Sequence, residues 1–327
     1  MKTLHFFCLS LFLFSLYTPI ALSRTCNADD KKVLLQIKAS FGNPYILASW
    51  QNDTDCCDWY NVECDSNGRI ISLTIFDGTL SGEIPAEIAN LPYLQMIDLN
   101  TLSDLHGSIP DALSKLTNLN FLRLKQNKLT GSIPPSLSKL TKLTFFDVSH
   151  NQLTGTIPGS LSNLGNLNAL HLDNNELSGA IPDSFGNFGN KQLSLYLSNN
   201  QLVGSIPAGF ANMHFDDIDL SHNKLSGNAY VLFSSDGTSQ TIDISYNMFS
   251  YDFSKTTFPS SLTYLDINHN SITGSLPAAM TGLNLQLLNV SYNRLCGQIP
   301  VGGKLQSFDS SSYDHNKCLC GSPLPAC

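Results

Sequence analysis

The sequence predicts an α/β repeat solenoid, a fold in which short strands stack side by side and each is followed by a return path. The pattern L-x-x-L-x-L-x-x-N-x-L-x-G-x-I-P recurs about every 24 residues, with regular copies starting at Leu119, Leu143 and Leu167. The alternating leucines of each copy have the period of a half-buried strand. Apart from Cys8, the cysteines lie only near the two ends of the chain. These features together predict a stacked array with covered ends.

A unit of this length and pattern is a leucine-rich repeat. With strands about 4.8 Å apart, ten units would form a right-handed solenoid whose concave sheet is roughly 45 Å long. Three units depart from the pattern: the second has Leu102 in place of Asn, the seventh lacks Ile-Pro, and the eighth, with Tyr251-Asp252-Phe253, also lacks Gly. The ten units start near Ile70, Leu94, Leu119, Leu143, Leu167, Gln192, Phe215, Ser239, Leu262 and Leu285.

Residues 1–23 have the features of a secretory signal peptide. Lys2 precedes an apolar run from Phe6 to Leu16, and Ala21-Leu22-Ser23 is a small-x-small cleavage site. The apolar run is too short to span a bilayer comfortably, so a membrane anchor is the weaker interpretation. We expect a secreted protein with no membrane contact.

Residues 24–69 are predicted to form an N-terminal cap, residues 70–300 the repeats, and residues 301–327 a C-terminal cap. Asp29 and Asp30 are candidates to cap a short helix, which Gly42 and Pro44 would end. Its apolar positions at helical spacing are Val33, Leu34, Ile37 and Phe41.

Eight cysteines remain once Cys8 is removed with the signal peptide. An even number in a secreted chain indicates disulfides, and small caps need such crosslinks because they bury little core. A zinc site is the weaker alternative, since no His accompanies them at ligand spacing. The eight are Cys26, Cys56, Cys57, Cys64, Cys296, Cys318, Cys320 and Cys327.

The net charge of the chain limits the classes of partner that it can bind. Removal of the first 23 residues, whose one charged side chain is Lys2, changes the formal net charge from −8 to −9. An acidic chain is a poor partner for nucleic acid, and simple electrostatic adhesion to anionic wall polymers is disfavoured as well. Asn52 and Asn289 begin N-glycosylation sequons, which fits secretion.

Each unit carries an Asn whose side-chain amide is expected to satisfy backbone groups of the turn and to bridge to the next repeat. The Gly that follows suits a tight turn, and Ile-Pro fixes an extended segment. The column comprises Asn127, Asn151, Asn175, Asn200, Asn223, Asn247, Asn270 and Asn293.

The strand positions that alternate with the core leucines face outward and are therefore the candidate partner-binding positions. Asp219, Asp243 and Asp266 fall in one column, with backbones about 5 Å apart, so their carboxylates should resist full ionisation. A merely solvated acidic face is the alternative. The candidates are Asp98, Phe121, Arg123, Lys125, Gln126, Phe145, Asp147, His150, His171, Asp173, Tyr196, Asp219, Asp243, Tyr264 and Asp266.

Catalytic and metal chemistry have little support in the sequence. No nucleophile-elbow, phosphate-loop or zinc-protease motif occurs. By strand count His150 and His222 are about 15 Å apart, too far for one metal ion. Calcium at the acidic column is a weak alternative, because the spaced side chains lack a tight oxygen-rich loop. We expect no enzyme activity, no cofactor and no metal.

The motifs of the two caps resemble a known family. The G-x-I-P repeats and the Cys-Cys-Asp-Trp segment are similar to those of plant extracellular leucine-rich repeat proteins. Three further segments narrow the resemblance to polygalacturonase-inhibiting proteins: Asp30-Lys-Lys-Val-Leu-Leu-Gln-Ile-Lys38, Val301-Gly-Gly-Lys-Leu-Gln-Ser-Phe308 and Cys318-Leu-Cys-Gly-Ser-Pro-Leu-Pro325. The segment Asn289-Val-Ser-Tyr-Asn-Arg-Leu-Cys-Gly-Gln-Ile-Pro300 belongs to the same resemblance, which covers essentially all of the chain after the signal peptide.

This resemblance implies a secreted inhibitor of the endopolygalacturonases of fungi and other pathogens, located in the cell wall or apoplast, where it protects pectin. It also implies the disulfides Cys26–Cys56, Cys57–Cys64, Cys296–Cys318 and Cys320–Cys327. Two departures stand out: the chain is acidic, which weakens the case for pectin as a second partner, and the second repeat reads Asp98-Leu-Asn100-Thr101 where relatives often carry a basic or aromatic group.

The resemblance and the outward side chains give a binding hypothesis. An enzyme that acts on a polyanion needs cationic subsites, which the acidic column could contact, while Arg123 and Lys125 address acidic groups. Phe121, Phe145, Tyr196 and Tyr264 are candidate anchors. Two other functions remain open, because the same scaffold is also similar to a leucine-rich repeat antifreeze protein: a soluble binding module in signalling, and ice binding.

Overall fold

The structure is a computed structural model that describes residues 25–327. The predicted signal peptide, residues 1–23, lies outside the described residues. The described chain contains 21 strands: β1 (Val62–Cys64), β2 (Ile70–Gly78), β3 (Gly82–Glu83), β4 (Met96–Leu102), β5 (Leu105–Ser108), β6 (Phe121–Arg123), β7 (Lys128–Gly131), β8 (Phe145–Asp147), β9 (Gln152–Leu153), β10 (Ala169–His171), β11 (Ser178–Ala180), β12 (Gln192–Tyr196), β13 (Gln201–Gly204), β14 (His214–Asp219), β15 (Lys224–Gly227), β16 (Thr241–Asp243), β17 (Met248–Phe249), β18 (Tyr264–Asp266), β19 (Leu287–Asn289), β20 (Cys296–Gln298) and β21 (Cys318–Cys320).

Eleven of these strands form one large sheet, in the order β1-β2-β4-β6-β8-β10-β12-β14-β16-β18-β19. β1 is antiparallel to β2, whereas the strands from β2 onward pair in parallel with their sequence neighbours in the sheet. The ten parallel strands correspond one to one with the ten units framed in the sequence. The predicted leucine-rich repeat solenoid is therefore confirmed.

The return paths run through short 3-10 helices and two four-stranded sheets, β3-β5-β7-β9 and β11-β13-β15-β17. In seven units the proline of the Ile-Pro or Leu-Pro pair caps a five-residue 3-10 helix, because its ring fixes the φ angle that the turn needs. These helices are Ala86–Asn90, Asp111–Lys115, Pro135–Lys139, Gly159–Asn163, Asp183–Asn187, Ala208–Asn212 and Ala278–Gly282. Shorter ones span Tyr45–Leu47, Cys56–Asp58, Tyr230–Leu232, Phe253–Lys255, Leu305–Ser307 and Ser310–Ser312.

The two units that lack Ile-Pro have three-residue helices in this position, Tyr230–Leu232 and Phe253–Lys255. Aromatic side chains fill the core there: the rings of Phe233, Phe253 and Phe258 pack edge to face, with centroids 6.1, 5.9 and 5.8 Å apart. Large aromatic rings thus replace the shorter apolar residues of the regular repeat.

The Asn column forms a continuous hydrogen-bonded ladder. The amide of Asn151 donates to the carbonyls of Leu124 and Val148 at 2.8 and 3.0 Å, and its oxygen accepts from the amide of Leu129 at 3.0 Å. Leu124 and Leu129 belong to the preceding repeat, so the expectation of a bridge to the next repeat was wrong in direction. The ladder continues into the C-terminal cap, where Asn316 accepts from the amide of Leu295 at 3.0 Å.

The N-terminal cap contains helix α1 (Ala28–Ser40). Its N-cap is Asn27, whose side chain accepts from the amides of Asp29 and Asp30, so the assignment of those two aspartates as caps was wrong. Asp30 is buried and instead forms an ion pair with Arg69 at 2.7 Å and accepts from the amide of Ile70 at 3.0 Å. These contacts join the cap to the first repeat strand.

The eight cysteines pair as Cys26–Cys56, Cys57–Cys64, Cys296–Cys318 and Cys320–Cys327, the pairing that the family resemblance implied. β20 of the last repeat pairs with β21 of the C-terminal cap, and in the cap the buried Tyr313 donates its hydroxyl to the carbonyl of Leu305 at 2.7 Å. Within residues 25–327 no helix has the length and apolar character that crossing a bilayer requires.

Candidate binding face

Three rows of side chains run across the outward side of the large sheet, which is the concave face of such a solenoid. Strand register defines the central row, whose residues lie opposite one another on successive strands. It comprises Thr74, Asp98, Arg123, Asp147, His171, Tyr196, Asp219, Asp243, Asp266 and Asn289. Phe121, Phe145 and Tyr264 lie two residues earlier on their strands. Three residues after the central row is the rim row, in which the backbone has positive φ.

Asp98 and Arg123, both predicted to face a partner, are paired with each other. Arg123 Nε lies 2.9 Å from Asp98 Oδ1, and its Nη2 donates to Oδ2. Asn100 also donates to Oδ1, at 2.6 Å. The carboxylate of Asp98 raises the pKa of Arg123, so this guanidinium stays charged while much of its donor capacity is satisfied within the face.

Several of the predicted contact carboxylates are much less accessible than the outward strand pattern suggests. Asp98, Asp147 and Asp266 are 4%, 3% and 8% exposed. Asp147 Oδ1 accepts from the hydroxyl of Ser149 at 2.6 Å and from its amide at 2.9 Å. An outward strand position is therefore not equivalent to an exposed carboxylate here.

An aromatic stack occupies the middle of the face. The rings of Phe121 and Phe145 are stacked with centroids 4.6 Å apart, and His171 and Tyr196 are stacked at 4.3 Å. Phe145 and His171, 5.3 Å apart and tilted, join the two pairs. All four side chains are half-buried, so the stack is rigid and presents one apolar edge to solvent.

A group of two imidazoles and one carboxylate adjoins this stack and shares His171 with it. His150 Nε2 is 3.7 Å from Asp173 Oδ2, and His171 Nδ1 is 3.9 Å from Asp173 Oδ1. Asn174 donates to Asp173 Oδ2 at 2.8 Å. Burial lowers the pKa of His171 and raises the pKa of Asp173, which disfavours the charged form of each.

The acidic row, defined as Asp219, Asp243 and Asp266, occupies three successive strands in direct register. Each carboxylate accepts from the backbone amide two residues on, at 3.0 Å. Burial, more than the charge of Asp243, raises the pKa of Asp266 to about 7. Burial also raises the pKa of Asp243, with Asp219 adding to the shift. Burial is thus a larger cause than the mutual repulsion on which the sequence argument rested.

The rim row contains a feature that sequence reasoning missed. His222, Tyr246, His269, Tyr292 and His315 form one ladder of stacked rings, with successive centroids 4.1, 4.0, 4.1 and 4.1 Å apart. Only the histidine column had been noticed. The signal was present, because each of these five residues directly precedes an Asn of the structural column.

The remaining predicted residues divide between rows. Lys125 is half-buried between the central and rim rows, Gln126 and His150 are exposed on the rim, and Tyr264 is half-buried two residues before Asp266. The two glycosylation candidates differ: Asn52 is exposed on the N-terminal cap, whereas Asn289 is half-buried at the end of the central row.

Among residues 25–327, the one cluster with ligand atoms close enough for a metal ion is Cys26, Asp55, Cys56 and Cys57. Its three cysteines are bonded in disulfides and are therefore not available as thiolate ligands. The face itself offers charge, ring edges and hydrogen-bonding groups on a rigid open sheet, an arrangement suited to recognition of a macromolecule.

Comparison with known proteins agrees with this architecture. A leucine rich repeat N-terminal domain model matches residues 27–65, and leucine rich repeat models match residues 118–140, 142–164, 166–188, 193–213 and 240–295. The crystal structure of a plant ice-binding protein is similar with a TM-score of 0.90 and 50% identity, covering 92% of this chain and 98% of that chain.

Two curated relatives are similar over nearly their whole lengths. A polygalacturonase inhibitor of Pyrus communis is 62% identical over 328 residues, covering 100% of this chain and 99% of the relative. Polygalacturonase inhibitor 1 of Arabidopsis thaliana is 59% identical and covers 97% of both chains. Both relatives are named as inhibitors and not as enzymes. On the strength of these full-length matches, the chain belongs to the plant polygalacturonase-inhibiting protein family.

Proposed function

We propose that this protein is a secreted inhibitor of pathogen endopolygalacturonases that binds the enzyme through its concave face, in the cell wall or apoplast, as part of plant defence. The observation that carries the proposal is the full-length similarity to polygalacturonase inhibitors, at 62% and 59% identity. The concave face supplies a surface on which such binding could occur, since its rings and charges are fixed on a rigid sheet.

The acidic row is the proposed contact for cationic groups of the enzyme. An enzyme that cleaves a polyanion must hold carboxylates of its substrate, and cationic side chains serve that purpose. Burial raises the pKa of Asp243 and raises the pKa of Asp266 to about 7, which disfavours the charged carboxylates in the free protein. A lysine or arginine placed against them would restore ionisation, so the attraction strengthens where a cation docks correctly.

The aromatic stack is the proposed anchor. Rigid aromatic side chains contribute large contact area at low entropic cost and dominate many interfaces. Phe121 and Phe145 lie near the Asp98–Arg123 pair, and Tyr196 lies one strand from Asp219, so apolar and acidic parts form one continuous surface. Because Arg123 is already paired, Lys125 is the better candidate for an acidic group of the partner.

Pectin is a secondary partner in this proposal. The formal net charge of residues 24–327, −9 after loss of Lys2, opposes long-range attraction to an anionic polymer, so we expect pectin retention to be weak and salt-sensitive.

The test is inhibition of a panel of fungal endopolygalacturonases by secreted residues 24–327 at acidic pH, read as pectate hydrolysis. The informative variant changes Asp219, Asp243 and Asp266 to Lys. A matched control changes Asp111, Asp183 and Asp236 to Lys; these are exposed residues outside the large sheet, and the net charge changes equally. We expect the first variant to lose inhibition and the second to retain it. Equal affinity in both would remove the acidic row from the proposal.

Ice binding is the second candidate function, favoured by the solved ice-binding protein at 50% identity. The face described above is charged and aromatic, whereas ice binding calls for a flat, regular and uncharged array. Thermal hysteresis at millimolar protein concentration would distinguish the two functions. A soluble module in signalling is the remaining alternative, and pull-down of a peptide or receptor by protein that inhibits no enzyme would support it.

A further inference from the structure

Asn289 is both the first residue of a glycosylation sequon and the next member of the central row after the acidic row. It ends β19, the last strand of the large sheet, and lies in register opposite Asp266 on β18. Its side chain is half-buried on the outward side of the sheet. A modification at this residue would therefore be made on the proposed binding face.

The hydrogen bonds of Asn289 fix which atom faces the acidic row. Its Oδ1 accepts from the hydroxyl of Ser291 at 2.7 Å and from the amide of Ser291 at 3.2 Å. Because Ser291 engages its oxygen, Nδ2 is the remaining polar atom of the amide, and Asp266 lies opposite Asn289 in strand register. Nδ2 is also the atom to which an N-linked glycan is attached.

The size of a glycan determines what such a modification does. An N-linked glycan is bulky and hydrated, so it cannot enter the hydrogen-bonded sheet and must lie on its outward side. From Asn289 it would extend over the neighbouring end of the acidic row. Asn52 provides the contrast. It is exposed on the N-terminal cap, beside α1, at the other end of the solenoid. A glycan there would leave the acidic row uncovered.

We propose that N-glycosylation at Asn289 regulates the binding face: the glycosylated form has the Asp266 end of the acidic row covered, and the unglycosylated form presents the whole row to a partner. This inference rests on the proposed function. It divides the secreted protein into two populations with different affinity for the same enzyme.

The experiment compares four forms secreted from plant cells. Ser291→Ala removes the sequon and keeps the Asn289 side chain, Ser291→Thr keeps the sequon and its hydroxyl, and Asn52→Gln is the matched control for loss of a distant glycan. Mass spectrometry of the peptide containing Asn289 gives site occupancy. The dissociation constant for an inhibited endopolygalacturonase gives the effect on binding.

We expect Asn289 to be occupied in the wild type and in Ser291→Thr. Ser291→Ala should bind at least about tenfold more tightly than the wild type, because the contact at Asp266 becomes accessible. Asn52→Gln should bind like the wild type. A peptide without glycan at Asn289 would overturn the proposal, and so would equal affinities of the wild type and Ser291→Ala.

A second probe separates this proposal from the proposed function. Oligolysine peptide needs only the acidic row and no enzyme. If no endopolygalacturonase binds any form, the proposed function fails, while tighter oligolysine binding by Ser291→Ala than by the wild type still supports the glycan's role. Equal oligolysine binding by these two forms would overturn it.

Discussion

Arg123 lies opposite Asp98 in strand register, and its guanidinium binds both oxygens of that carboxylate. The pair joins two repeats within the binding face. Asp98 is nearly inaccessible to water, whereas Arg123 is about one-third exposed, so the pair is intermediate between buried and surface ion pairs.

Arg123→Ala should therefore lower the free energy of unfolding by about 2 kcal/mol, because it leaves a desolvated carboxylate without its partner. Chemical denaturation measures this. Lys128→Ala is the control, since its pair with Asp104 is exposed and its loss should change stability much less. If both variants lose the same stability, the pair in the face has no special contribution.

The folded protein should gain stability toward acidic pH through Asp266. Its folded-state pKa is about 7, above the ordinary value of 3.8, so folding takes up a proton between these values. Stability from this group is fully present below pH 4 and is lost as pH rises through 7. The raised pKa values of Asp243 and Asp173 act in the same direction, and the lowered pKa of His171 opposes them.

Asp266→Asn should flatten the decline in melting temperature between pH 4 and 7. Asp252→Asn is the contrast. Hydrogen bonds from Ser254 lower the pKa of that exposed carboxyl, so this group adds no stability toward acidic pH. The substitution should therefore not flatten the decline. An unchanged slope in Asp266→Asn would contradict the assignment.

Phe145 should be an anchor for the partner if the face binds an enzyme. Its ring contacts Phe121 on one side and His171 on the other, so Phe145→Ala breaks the stack at its centre. We expect at least about a tenfold loss of affinity, measured by surface plasmon resonance. Met248→Ala removes an exposed apolar side chain from β17, which lies outside the large sheet, and should leave affinity unchanged. Equal losses would show that the stack is not an anchor.

Tyr246 combines favourable ring stacking with an unfavourable backbone conformation. Its φ of 51° lies in the left-handed region, and its ring contacts those of His222 and His269. Asn tolerates this backbone and Val does not. Tyr246→Val should therefore be less stable than Tyr246→Asn by at least about 1 kcal/mol in denaturant unfolding, although both lose the stack. Equal stabilities would mean that the backbone adds no strain.

The sequence alone was sufficient for the parts of the fold that repeat locally. Leu122 and Leu124 are buried as the period of two requires, and the Asn column makes its backbone bonds in each regular unit. The sequence does not indicate whether each Asn bonds to the preceding or to the following repeat, because the two neighbours have the same pattern.

The candidate site was less predictable, because its properties depend on contacts between units. Asp98 and Arg123 are 25 residues apart, and only the register brings their side chains together. Asp147 is only 3% exposed, which the period of the strand does not indicate. The stacking of Tyr292 on His315 likewise requires two successive units, so neither residue alone indicates it.

Asn316 gives the C-terminal cap the same hydrogen bonds that the units with a column Asn, from Asn127 onward, make. Its amide donates to the carbonyl of Val290 and its oxygen accepts from Leu295, as an Asn of the column does with the repeat before it. The hydrogen bonds of this contact are thus those of any repeat in the column, and the Cys296–Cys318 disulfide additionally links the cap to the last unit. The number of repeats can then vary in evolution. If a 24-residue repeat is duplicated or deleted within the array, the contact between the last repeat and the cap stays intact. The length of the concave face then changes without any change at either end.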